Sequence, residues 1–138
     1  MSYAVVDATM GRIHDYLAAH PHLPRLIQRA GLDDNRYLRI VMTEAFSPLY
    51  DEGMRILASA DGPWEPADIP HVAAGIYHLV FGYFANAGLL AELLQVDPCS
   101  STAVERQRRF VNTAVTQLLG IARSGAQRPT IRKPETSE

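Results

Sequence analysis

At 138 residues the chain is long enough for one domain with a real core and short for two. Hydrophobic residues make up 47% and charged residues 20%, the proportions of a globular protein, and a net charge of −2 supplies no basic field for nucleic acid. A single cysteine, Cys99, excludes an intrachain disulfide framework, and the start MSYAVVDATMGR lacks the basic and apolar parts of a signal peptide, so the expected location is cytoplasmic.

In chain order, helical periodicity dominates and strand signals are scarce. The first helix is expected over Tyr3–Ala19, where Val6, Met10, Ile13 and Leu17 form a stripe. His20-Pro21 ends it, because a residue before proline is pushed out of helical geometry. A short second helix runs from about Leu23 to Ala30 and stops at Gly31. A third covers about Asp34 to Phe46. Ser47-Pro48 reads as an N-cap followed by a first helical position, which predicts a fourth helix from Pro48 to about Ala60. DGPWEP at 61–66 is a loop. Asp68 is a candidate cap for a long fifth helix reaching about Ala87, with an interruption at Gly88. Asp97-Pro98 breaks the chain. The last helix is predicted from Thr102, where Thr102 and Glu105 match a capping box, to about Arg123. The expected organisation is a helical domain over 1–123 and a polar, disordered tail over 124–138.

The stretch from Val72 to Ala91 holds twenty residues without Asp, Glu, Lys or Arg. Such a run is a membrane span or a helix buried on nearly all sides. His78, Asn86 and three glycines argue against lipid, and no Lys or Arg cluster flanks an end to orient an insertion. At about 100° per residue, Gly75, Leu79, Gly82 and Asn86 share one small face, with His71 and His78 at its edge. Tyr77, Val80, Phe81 and Phe84 form an opposite, aromatic face. On the last helix, Val104, Val111, Val115, Leu118 and Ala122 make one apolar strip, and Ala103, Phe110, Ala114 and Ile121 make another beside it. Two-faced helices of this kind predict a four-helix packing with two helices from each of two chains. The expected partner-facing residues are Gly75, His78, Leu79, Gly82, Asn86, Val104, Arg108, Val111, Val115 and Leu118.

Four segments carry a family resemblance: AAHPHLPRLIQRAG at 18–31, SPLYDEGMRIL at 47–57, ANAGLLAELLQVDP at 85–98 and VERQRRFVNTAVTQLLGI at 104–121. In order and spacing they resemble the C-terminal regulatory domain of TetR/AcrR-family transcriptional regulators, across nearly the whole chain. The resemblance implies an all-α bundle of about six helices that homodimerises through its last two long helices. It also implies a pocket for a small, mainly apolar effector among the first, third, fourth and fifth predicted helices. In that family, effector binding moves the first helix and releases a repressor from its operator. The family's DNA reader is an N-terminal helix-turn-helix. The chain starts at the helix expected to follow it, so the chain is expected not to read DNA by itself. A second possibility is a stand-alone helical interaction protein that pairs with a full-length regulator. A small membrane protein is a third.

Residues suited to a mainly apolar pocket are His14, Tyr37, Met42, Tyr50, Met54, Tyr77, Phe81 and Phe84, since aromatic rings with polar tips and adaptable methionines fit such ligands. Each would serve equally as plain core. Trp64 is a candidate cover for either. No HExxH, GxSxG, phosphate-binding glycine loop or CxxC is present, so neither an enzyme nor a cofactor is expected. His71 and His78 across a two-fold axis could gather imidazoles for a metal, but ordinary interfacial histidines are the simpler expectation, and no metal is assigned. Arg106, Arg108, Arg109 and Arg123 read as a solvated basic face with some dimer salt bridges.

Overall fold

The computed structural model describes residues 2–32 and 36–121, apart from the side chains of Phe46 and Leu49. Every regular element among them is a helix: α1 (Tyr3–Ala19), α2 (His22–Leu32), α3 (Arg36–Ala58), α4 (Ile69–Ala85), α5 (Ala87–Leu94) and α6 (Ser101–Leu118). The all-α expectation holds. The expected tail over 124–138, Ala122 and Arg123 lie outside the described residues.

Local chemistry explains most helix ends. The Ser2 hydroxyl accepts the Val5 N–H and opens α1. At the other end, the His20 N–H donates to the Tyr16 and Leu17 carbonyls, and its ring stacks on Tyr16 with centroids 4.4 Å apart. The end falls where Pro21 requires it. α6 stops in a two-bond glycine cap. The Ile121 N–H reaches Thr116 O at 3.0 Å, the Gly120 N–H reaches Gln117 O at 3.1 Å, and Gly120 sits at φ 66°. That cap ends the helix at Leu118, short of the expected Arg123. Its start also differs from expectation. Ser100, not Thr102, is the N-cap, accepting the Ala103 N–H, and Thr102 lies inside the helix.

Two expected breaks move. Ser47-Pro48 does not separate two helices, since α3 runs through Pro48 without interruption. An interior proline forfeits one backbone hydrogen bond and costs about 3 kcal/mol. Packing of α3 against both α2 and α4 offsets that cost. The second break comes at Asn86 instead of Gly88. The Asn86 side-chain amide and backbone N–H both donate to Gly82 O, at 2.9 and 3.0 Å, closing α4 there. α5 then leaves at 76° to α4. Asp68 does precede α4, with Pro70 in its first turn as expected, but its side chain makes no capping hydrogen bond.

The uncharged run is therefore two helices. No single helix among the described residues is long and apolar enough to cross a membrane, although bent α4 and α5 together have the length and composition. α4 is the central element, packing on α1, α2, α3 and α6. Its Val80 and Phe84 meet Val6, Met10 and Leu17 of α1 and Val111 and Val115 of α6 in one core. Phe84 is fully buried, a contribution of about 1.5–3 kcal/mol. Val111 and Val115, expected to face a second chain, are 0% and 2% exposed and belong to the core of the chain itself. They are unavailable to a partner because α1 packs along that side of α6.

Candidate functional site

α1 and α3 each pack on α4 but are not extensively packed on each other. The gap between them is a cavity of about 540 Å³. Val5, Thr9, Arg12 and Ile13 form its α1 wall, and Tyr50, Gly53, Met54 and Ile56 its α3 wall. Ile76, Tyr77, Val80 and Phe81 of α4 close it on a third side, and Val115 and Leu119 reach it from α6 and its C-cap. Tyr77 and Phe81, one turn apart, stack with centroids 4.7 Å apart and an interplanar angle of 18°. Burial pushes the Tyr77 phenol above its ordinary pKa, so it remains a protonated donor at neutral pH. The size and apolar character fit a drug-sized ligand.

Of the eight residues expected to line a pocket, Tyr50, Met54, Tyr77 and Phe81 do so. His14 and Phe84 do not, because both are 0% exposed inside the core, with ring centroids 6.1 Å apart. Tyr37 is largely exposed and Met42 half-buried on the N-terminal half of α3, away from the cavity. The cavity's walls also differ from the placement that the resemblance implies, among the first, third, fourth and fifth predicted helices. The segment before Pro48 contributes nothing to the lining, whereas the last helix does. Periodicity in α1 carried a missed signal: Val5 and Thr9 lead at four-residue spacing to Ile13, which is expected on the core stripe and lines the cavity. Trp64 does not cover the mouth. Its indole N–H donates to the Leu118 carbonyl and fastens the 61–66 loop to the end of α6.

On its other side α1 meets α6 through polar groups. Asn112, 4% exposed, donates from its amide to Asp7 Oδ1 at 2.7 Å and to the Tyr3 hydroxyl at 3.1 Å, leaving its own Oδ1 buried without a partner. The Arg108 guanidinium lies against the backbone of Gly11, so close that a β-carbon there would sit 2.7 Å from Nη2. Arg108, expected at a partner surface, is thus half-buried against α1. His14 Nδ1 donates to Met10 O at 2.9 Å, while Nε2 is buried without a partner. Burial, the largest cause, lowers the His14 pKa; the Met10 hydrogen bond opposes it, Arg108 adds to the lowering, and Asp15 and Glu105 oppose it. α1 is therefore a wall of the cavity on one side and a partner of α6 on the other.

The remaining expected partner-facing residues lie at or near the surface. Gly75, His78 and Asn86 are exposed; Leu79, Gly82, Val104 and Leu118 are half-buried. A β-carbon at Gly75 or Gly82 would meet nothing within 4 Å. Leu89 and Leu93 of α5 and Phe110 of α6 are 60%, 68% and 56% exposed. Arg109 pairs with Glu105 at 3.9 Å in an exposed setting, a solvated contact of small energetic weight. Cys99 is exposed in a turn closed by its own N–H to Asp97 Oδ1. His71 is exposed and His78 makes an edge contact with Tyr77. Among the described residues no three His, Cys, Asp or Glu side chains are placed to hold a metal. Comparisons with protein-family models, with curated proteins and with solved structures give no significant match.

Proposed function

We propose that the chain is a ligand-sensing and dimerisation domain of the TetR regulatory type, a binding module and not an enzyme. The observation that carries the reading is the cavity between α1 and α3. It is apolar and large enough for a small molecule, and it takes one wall from the first helix. In a regulator of this type the first helix is the element that transmits occupancy to a DNA reader outside this chain. A ligand pressing on Val5, Thr9 and Ile13 would push α1 toward α6, where the Asp7–Asn112 hydrogen bond and the Arg108–Gly11 contact meet it. Dimerisation is supported by the open small-residue face of α4 and by the exposed Leu89, Leu93 and Phe110.

Hydrogen–deuterium exchange with and without the apolar probe N-phenyl-1-naphthylamine tests the reading. The expected result is added protection over 5–13 in α1 and 50–57 in α3. Unchanged exchange in α1 at probe saturation would remove the sensing role from this cavity.

A further inference from the structure

The charges at the cavity lead to a ligand class, given the reading of that cavity as a ligand site. Two charged residues line it, Glu52 on α3 and Arg12 on α1. Glu52 is already engaged. Arg55 grips both of its oxygens, with Nε 2.9 Å from Oε2 and Nη2 2.6 Å from Oε1, and this hydrogen-bonded pairing holds the Glu52 carboxyl below its ordinary pKa. Arg12 has no such neutraliser. It is exposed and makes no ion pair or hydrogen bond among the described residues. The site therefore offers one uncompensated positive charge beside an apolar interior of Met10, Ile13, Ile76 and Phe81.

Hydroxyl-bearing side chains extend the polar part of the lining. Thr9 lies one turn before Arg12 on the same helix, and Tyr50 and Tyr77 line the site from α3 and α4. A guanidinium fork with hydroxyl donors is the chemistry that receives a carboxylate. A polyphosphate would need more than one cation, and a ligand ammonium would meet Arg12 with like charge. We infer that the cavity takes a monoanionic amphiphile, an alkyl or aryl carboxylate whose tail fills the apolar interior and whose head lies on Arg12.

Isothermal titration of the full chain with decanoate, 1-decanol and decyltrimethylammonium, below their micellar concentrations, separates the head groups at constant tail. Arg12→Gln is the companion variant; glutamine retains good helix propensity at this exposed position. The variant should weaken decanoate binding roughly three- to tenfold while changing decanol affinity less than about twofold. Added salt should weaken decanoate binding to the wild type and leave decanol alone. Decanoate binding that ignores Arg12→Gln, or an ammonium compound that binds tighter than decanoate, would overturn the inference while leaving the cavity a ligand site. Failure of all three compounds to bind would remove the ligand reading as well.

Discussion

His14 sits at 0% exposure with one ring nitrogen bonded to Met10 O and the other without a partner. A buried imidazole in that state is stable only when neutral. Its pKa is lowered by burial from the ordinary value near 6.5. Over the interval between the lowered value and about 6.5, the unfolded chain therefore binds the proton that the folded chain refuses. Folding stability must fall as pH drops through this interval and recover as pH rises above it. Urea unfolding of the wild type and His14→Leu at pH 7.5 and pH 5 checks the sign. The wild type should lose more stability toward pH 5 than the variant does; equal losses would mean that His14 is protonated without penalty. Val6, Met10 and Leu17 hold the core face of α1 as their spacing predicts, but Ile13, expected with them, lines the cavity, and His14, four residues after Met10 and three before Leu17, is buried in the core. That distinction depends on which neighbour covers the ring, and Phe84 and α6 are far away in sequence.

At the scale of elements, sequence reading succeeds where a helix end is made by local groups and fails where distant packing decides. His20-Pro21 and Pro70 lie within a few residues of what they control, and both expectations hold. Pro48 shows the opposite. Its local signal favours a helix start, yet contacts of α3 with α2 and α4 carry one helix across it. Pro48→Ala restores a backbone donor in the middle of α3 and is expected to stabilise the fold by up to about 3 kcal/mol, seen as a raised thermal midpoint. A lowered midpoint would mean that the proline is needed for the course of α3. α4 is the element whose angular reading carried furthest. Val80 and Phe84 are core and Tyr77 and Phe81 line the cavity, while Gly75 and Asn86 lie outside. For α6 the same angular pattern predicts two apolar strips, and it gives the one with Val111 and Val115 to a partner chain, because nothing local to α6 shows that α1 covers that side. The structure assigns Val111 and Val115 to α1's side and leaves Phe110 outside.

For the molecule as a whole, the proposal joins two surfaces, a cavity on one side of α4 and an open small-residue face on another. The second surface is tested by sedimentation. The chain should run as a dimer at micromolar concentration. Gly75→Leu or Gly82→Leu should weaken that dimer more than Tyr77→Phe does, because a side chain added at either glycine would enter open space on the proposed partner face. A monomer at all concentrations would contradict the dimer. The cavity itself is tested most directly by filling it. Gly53 lines it, a β-carbon there meets nothing within 4 Å, and glycine is the weaker helix former by about 0.8–1.0 kcal/mol relative to alanine. Gly53→Leu should therefore occupy ligand space without disturbing the core. Fluorescence titration with N-phenyl-1-naphthylamine compares the two proteins. The wild type should bind one probe per chain saturably, and Gly53→Leu should bind it at least about tenfold more weakly with no loss of thermal stability. Wild-type protein that binds no probe, or a variant that binds it as well as the wild type, would contradict a ligand site between α1 and α3.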